Sequence, residues 1–249
     1  MNEILTRRLK SSMRTTIIAL VLLMPALLQA APPANVTPYK AEYKALIKLI
    51  PVQVDVTLRD AGDGTYVFKS DIHTRSWASL FGGNVAETSR FRVVENGVEP
   101  LEYEKRDRIS DDEKDISTRF EGEGSAVSIY RGKEKRLEHD GPLVDLLTLR
   151  YVLSYDLSRE QLAERYDIVD GKGRLKEIEV SDLGLETVET GIGPMRARKL
   201  QYAAVDDPVY TVWAAPELDY QLVRIEQHKN GKLRASLTLD SYRPIIKKK

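Results

Sequence analysis

Between Tyr39 and Arg59 the chain alternates apolar and polar residues almost without a break. In "YKAEYKALIKLI", Tyr39, Ala41, Tyr43, Ala45, Ile47 and Leu49 fall on one face, and Lys40, Glu42, Lys44 and Lys48 on the other. "VQVDVTLR" continues with Val52, Val54, Val56 and Leu58 inward and Gln53, Asp55, Thr57 and Arg59 outward. Side chains of a strand alternate between its two faces, so this pattern belongs to an antiparallel sheet with one wet side. Pro51 has no N–H to give to a ladder and is expected at a bend or bulge.

The same period returns along most of the chain. "DAGDG" (60–64) is a turn leading into "TYVFKSDIH". Further strands are expected over 86–94, 101–108, 115–121 and 126–130, separated by "ENG", "SDDEK" and "EGEG". After the middle of the chain they resume over 166–169, 174–180, 187–190, 195–202, 209–214, 220–229 and 233–241. Asn230-Gly231 is the strongest short hairpin signal present. In the strand before it, Val223 and Ile225 should share a face opposite Arg224. In the strand after it, Leu233, Ala235, Leu237 and Leu239 should face the core, with Arg234, Ser236 and Thr238 outward.

The period changes once. In "DGPLVDLLTLRYVLSYDLS", Leu143, Leu146, Leu147, Arg150 and Leu153 stand at helical spacing, with Pro142 near the first turn and Asp140 available as a cap. Ser158 and Gln161 have the spacing of a capping box for a short additional turn. The expected fold is mainly β, a β-rich α+β chain. A curved antiparallel sheet or open barrel of roughly a dozen strands would carry one principal helix on its concave side, because a sheet's apolar face must be covered. No repeat of fixed length is present.

Composition bears on address and partners. Arg7, Arg8, Lys10 and Arg14 precede the apolar run "IIALVLLMPALL" (17–28), which is followed by "QAAPPA". This is the pattern of a signal peptide over 1–30, with cleavage near Ala30 or Ala31. The run is short for a membrane span, and Pro25 interrupts it; an uncleaved anchor is the alternative. "TRRLK" has the arginine pair of a twin-arginine signal but lacks its hydrophobic follower, and reads as ordinary leader charge. A Pro-rich lead-in (31–37), a single β domain (38–243) and a basic tail (244–249) complete the expected organisation. The whole chain balances 38 basic against 38 acidic residues, but without its leader it has 34 and 37. A net charge of −3 argues against nucleic acid as partner. There is no cysteine, hence no disulfide framework and no lipid-anchored Cys at the cleavage site. The expected location is the periplasm, with no membrane span in the mature chain.

Chemistry is sparse. His73, His139 and His228 lack ligand spacing, so neither a metal nor another cofactor is expected. "GEGS" (122–125) lacks the second glycine of a nucleophile elbow, and "GKG" and "GIGP" are turns rather than phosphate loops. "SDDEKD" (110–115) lacks the alternating ligands of a calcium loop. The segment most suggestive of binding is "TRSWASLFGGN" (74–84). Its Trp77, Leu80 and Phe81 either close one end of the core or rim an apolar cavity. Leu143, Leu146 and Leu147 of the helix are candidates for the same cavity, as core or as lid.

Several stretches in order, "YKAEYKALIKLIPVQVDVTL", "DGTYVFKSDIHT", "ETSRFRVVENGVEPLEYE", "DGPLVDLLTLRYVL", "GIGPMRARKL" and "VYTVWAAPELDYQLVRIEQHKNG", resemble the exported proteins grouped as domain of unknown function 3108. The likeness runs over roughly residues 38 to 243, although the helix opens Leu-Val-Asp-Leu-Leu where an Asp-Pro-Leu-Ser-like start belongs to the pattern. The resemblance transfers no catalytic residue. It implies a curved antiparallel sheet wrapped about helices, similar to periplasmic lipoprotein-carrier and lipoprotein-receptor domains. The function expected is a non-enzymatic periplasmic binding or carrier protein for an apolar ligand such as a lipid or acyl chain. The alternatives are an envelope protein-interaction module with a solid core and, behind it, an enzyme acting on polysaccharide or cell wall through converging carboxylates.

Overall fold

The structure is a computed structural model and describes residues 36–74, 84–95, 97–108, 114–122 and 124–246. The leader 1–30, Trp77, Leu80, Phe81 and residues 247–249 lie outside the described residues. Fifteen strands are described, all in one sheet. β1 (Tyr39–Ile47), β2 (Ile50–Asp60), β3 (Tyr66–Thr74), β4 (Val85–Val94) and β5 (Gly97–Asp107) lead into β6 (Ile116–Phe120), β7 (Ser125–Tyr130), β8 (Lys133–Glu138) and the short β9 (Leu143–Asp145). After α1 (Leu146–Ser158) come β10 (Arg165–Val169), β11 (Leu175–Thr190), β12 (Gly193–Ala203), β13 (Val209–Ala215), β14 (Gln221–Lys229) and β15 (Lys232–Pro244).

The spatial order is β8-β7-β6-β5-β4-β3-β2-β1-β15-β14-β13-β12-β11-β10-β9. Every pairing is antiparallel except that of β9 with β10. The sheet curves but does not close, because β8 and β9 do not pair. The chain nevertheless crosses from one edge to the other in a few residues after Glu138. Side chains and close backbone approach fill that seam. Leu137 and Ala126 pack with Leu143 and Val169, and the His139 imidazole stands 3.5 Å from the Asp167 carboxylate. Gly124 lies so close that a Cβ there would sit 1.8 Å from the His139 carbonyl oxygen.

The alternation of β1 and β2 is realised as read: Tyr39, Ala41, Tyr43 and Ala45 are buried, as are Val52, Val54, Val56 and Leu58. The turn corrects the reading at its ends. Lys48 and Leu49 form a two-residue loop, so Leu49 projects from the tip instead of facing inward. Pro51 makes no bulge in the β1–β2 ladder. It pairs opposite Leu46, next to the hydrogen-bonded Ile47–Ile50 pair, so its nitrogen points toward β3. The described β2–β3 ladder ends at Val52–Thr74, one residue short of Pro51.

The helix is also corrected at both ends. Leu143–Asp145 is drawn out as a strand against β10, so α1 begins at Leu146 and Asp145, not Asp140, is its cap. Past Ser158 there is no further helical turn. The Ser158 hydroxyl bonds back to the Tyr155 carbonyl (2.6 Å), and Glu160 adopts a left-handed φ of 56°. Leu147, Leu149, Val152, Leu153, Tyr155 and Leu157 are all buried. A helix apolar on nearly all sides is an interior helix, and α1 packs on the concave side against β4, β5, β14, β9 and β10.

On the opposite face, β11 and β12 extend past β13 as an arm whose Gly191 N–H donates to the Leu239 carbonyl (2.7 Å). A side chain at Gly191 would meet Asp240 at 2.5 Å, which explains the glycine. Beneath the arm lies Trp213, flanked by the cations of Lys199 and Arg224. A bulge in the β13–β14 pairing changes the expected register: Ile225 packs with Leu222 in the cluster around the helix, whereas Val223 joins the other cluster. The third strand follows the reading, with Leu239 buried, Leu237 packed against the core and Arg234 exposed. Leu233, expected inward, is exposed at the strand's start.

Candidate functional site

α1 and the apolar side chains packed around it fill most of the concave side. What remains open is a cleft at the end where β1 begins and β15 finishes. It has a volume of about 250 Å³ and is walled by Tyr39, Leu58, Tyr151, Ser154, Tyr155, Asp219, Gln221 and Tyr242. A void of about 20 Å³ adjoins it, sharing Tyr39, Tyr151 and Gln221 and reaching Tyr43, Phe68 and Arg150. The alternation of β1 sends Tyr39 and Tyr43 inward, and α1 contributes Arg150, Tyr151 and Tyr155 from consecutive turns.

The walls are aromatic and hold hydroxyls. Tyr39 stands against Tyr242 with ring centroids 5.2 Å apart, and Tyr151 against Tyr155 at 6.3 Å. The Tyr43 hydroxyl donates to the Leu222 carbonyl (2.7 Å) and accepts from the Gln221 amide (3.1 Å). Burial pushes its pKa up to about 12, against the hydrogen bond from Gln221. Burial also holds the Tyr39 and Tyr151 phenols above their ordinary values, so both are neutral donors near neutral pH.

Arg150 is the outlying group. Among the described residues no hydrogen bond or ion pair holds its guanidinium, even though it is half-buried in the interior. The nearby carboxylates are already committed. Glu87 pairs with Lys105 at 2.8 Å on the inner face of β4 and β5. Asp145, fully buried, accepts from the Leu147 and Thr148 N–H groups and from the Ser89 and Thr148 hydroxyls. Burial works against the Arg150 charge, but the Glu87 carboxylate and neighbouring phenols, Tyr202, Tyr210 and Tyr43, outweigh it and raise its pKa. A guanidinium in such a place has its fork of donors free for a carboxylate or phosphate.

Other openings are less suited to binding. A groove of about 840 Å³ beside the end of α1 is lined by Glu160, Glu164, Arg165, Glu179, Asp182 and Arg198. Both of its arginines are paired, Arg198 with Asp182 and Arg165 with Glu177 and Glu179. The three histidines stand apart, each next to a different carboxylate. Among the described residues no group of three His, Asp or Glu could hold a metal.

Of the residues expected to bind, the three that are described stand apart from one another. Leu143 is in the seam cluster, Leu147 is fully buried in the main core, and Leu146 packs at the edge of the helix cluster; none lines the cleft. Trp77, Leu80 and Phe81 lie outside the described residues. The tyrosines were not singled out, because each is an ordinary inward aromatic until the strand ends are brought together. Arg150 was visible as the one charge among the leucines at helical spacing.

Among the described residues no helix is long and apolar enough to cross a membrane. The fold is similar to that of a beta-barrel-like protein of domain of unknown function DUF1849 from Brucella abortus, with a TM-score of 0.55 at 9% identity over 84% of this chain and 98% of that one. Two weaker overlaps, both with a TM-score of 0.34 and 84% of this chain covered, are with a protein assigned as a lipoprotein from Parabacteroides distasonis (10% identity, 96% of that chain) and one assigned as exported, with a YmcC-like fold, from Bacteroides fragilis (11%, 97%). No curated protein matches the chain. Residues 38–238 match the family described as "Protein of unknown function (DUF3108)", and the chain belongs to that family.

Proposed function

We propose that this chain is an exported, non-enzymatic binding protein of the periplasm that holds a small amphiphile, its apolar chain among Tyr39, Tyr151 and Tyr242 and its acidic head against Arg150. The observation that carries the reading is that the aromatic cleft shares Tyr39, Tyr151 and Gln221 with the small void that reaches Arg150, whose guanidinium has no hydrogen bond or ion pair among the described residues. The leader pattern supports export. At 250 Å³ the cleft is slightly below the usual range for ligand pockets, so it suits a short chain or the end of a longer one. About six buried methylenes would contribute about 5 kcal/mol, and the charge-assisted bonds to Arg150 would fix the orientation.

The test is mass spectrometry of the organic extract of gently purified protein, together with displacement of a fluorescent fatty acid. An acidic amphiphile should co-purify, and Arg150→Leu should weaken probe binding by about tenfold or more. Arg150→Lys, which keeps the charge but not the fork, should fall between. Absence of any amphiphile together with unchanged probe binding in a folded Arg150→Leu protein would refute the reading. The filled concave side favours, as the second reading, an envelope interaction module with a solid core, and that same outcome would select it.

A further inference from the structure

The end of the sheet opposite the cleft carries a different chemistry. Both loop residues of the β1–β2 hairpin have left-handed backbones, φ 50° at Lys48 and 69° at Leu49. This conformation suits Asn-Gly and disfavours larger side chains. The β7–β8 and β14–β15 turns place Gly132 and Gly231 at the equivalent second position. Leu49 occupies it although 87% exposed, so neither turn geometry nor burial explains a leucine there. Around it Leu46, Ile50 and Leu233 are 43%, 50% and 47% exposed. The Lys48 N–H donates to the Arg234 carbonyl (2.9 Å), which joins the hairpin tip and the start of β15 into one surface.

That surface is basic. Lys48, Lys229, Lys232 and Arg234 are exposed, and none is in an ion pair among the described residues. No carboxylate occurs in the segments 44–54 or 227–239 that form it. Leu and Lys are poorly represented in the energetic centres of protein interfaces, which favour Trp, Tyr and Arg. Aliphatic side chains on a protruding tip ringed by cations instead match the boundary between acyl chains and anionic headgroups.

We propose that this end docks on the surface of an anionic lipid bilayer, with Leu49 and Ile50 entering the headgroup boundary and Lys48, Lys229, Lys232 and Arg234 meeting lipid phosphates. The strained Lys-Leu turn is the means by which an aliphatic side chain is held at the exposed tip of the hairpin. The site is distinct from the cleft and does not depend on a ligand there.

The test is co-sedimentation of the protein, expressed from its full-length sequence, with vesicles of phosphatidylglycerol and phosphatidylethanolamine, compared with vesicles of phosphatidylcholine. Binding to the anionic vesicles and its loss at high salt are expected. Leu49→Asp should lower vesicle affinity by about tenfold or more, and Lys48→Glu with Lys232→Glu by a similar factor. The double substitution Lys48→Asn with Leu49→Gly supplies the preferred turn, so it should fold at least as well while losing vesicle binding. Equal binding to neutral vesicles, no binding to either, or unchanged binding by Leu49→Asp would each overturn the proposal. Binding to a protein partner without lipid that is abolished by the same substitutions would also overturn it.

Discussion

Replacing Asp145 by alanine tests whether the helix is held where the cleft needs it. The carboxylate is fully buried. Its Oδ1 accepts from the Leu147 N–H (2.9 Å), the Thr148 N–H (2.8 Å) and the Ser89 hydroxyl (2.6 Å), and its Oδ2 from the Thr148 hydroxyl (2.6 Å). Loss of a cap costs about 1–2 kcal/mol, and each buried donor left without an acceptor adds about 1–3 kcal/mol. Against this stands the relief of removing a carboxylate whose pKa burial raises in spite of those bonds. The net expectation is about 3–5 kcal/mol for Asp145→Ala and about 1 kcal/mol for Asp145→Asn, which keeps an acceptor toward the helix. Urea titration with an unchanged slope is the assay. Because the folded pKa is raised, the folded state binds the proton more readily. Asp145 therefore favours folding most below its ordinary 3.8, and that advantage is lost as pH rises through the folded value. Wild type should accordingly lose stability relative to Asp145→Asn over that rise. A cost below about 1 kcal/mol for Asp145→Ala, or equality of the two variants, would refute the capping argument.

The Glu87–Lys105 pair has the opposite acid behaviour. Burial opposes its charge, but Lys105 and Arg150 hold Glu87 below its ordinary value, while Glu87 holds Lys105 above its own. Its contribution should be present between the unfolded values of 4.5 and 10.5, falling away as pH drops through the Glu87 folded value or rises through that of Lys105. Glu87→Gln should cost about 2 kcal/mol at neutral pH and flatten the acid limb of a stability profile. At the seam, Gly124→Ala puts a Cβ against the His139 carbonyl and should cost about 4 kcal/mol or more, whereas Gly132→Ala, with open space around it, should cost about 1–2 kcal/mol in thermal melts. Lys48→Asn with Leu49→Gly should raise stability by about 0.5–1 kcal/mol in the same melts.

The sheet was legible wherever a strand has one dry face, as in β1, β2 and β15. It was not legible at β8, whose "KEKRLE" buries only Leu137, nor at β9, whose three residues are defined by their partner rather than by any pattern. The helix boundary was misplaced for the same reason: Leu143 to Asp145 suit a helix locally, and only β10 draws them straight. Bulges such as the one beside Val223 leave no periodic trace, because one extra residue moves every later side chain to the other face. At the site, the singular Arg150 could be read from helical spacing, but its lack of a partner could not. That depends on Glu87 being taken by Lys105 and Asp145 by the helix cap, two relations that cross from one strand or element to another. Leu143, Leu146 and Leu147 read equally as core or as lid, because sequence does not distinguish a helix covered on all sides from one covered on three.

The first and last described residues and the edges of the sheet are in different places. Tyr39 pairs with Pro244, and the Ile245 N–H donates to the Pro38 carbonyl (2.7 Å), so the first and last described strands meet in the middle of the sheet. The two edges meet instead where the chain is unbroken, at the link from β8 to β9. A molecule opened there and joined from Ile246 to Val36 would be a plain meander in which each strand is followed in sequence by its spatial neighbour, apart from the passage through α1. In the natural order, one seam between β1 and β15 has to be closed across almost the whole length of the domain. Loss of the last strand therefore does not trim a border but splits the wall down its centre, exposing the inner rows of β1 and β14 together. Of all the breaks a protease could make, one near Ser236 should be the least tolerated, and one near Gly141 the easiest to survive.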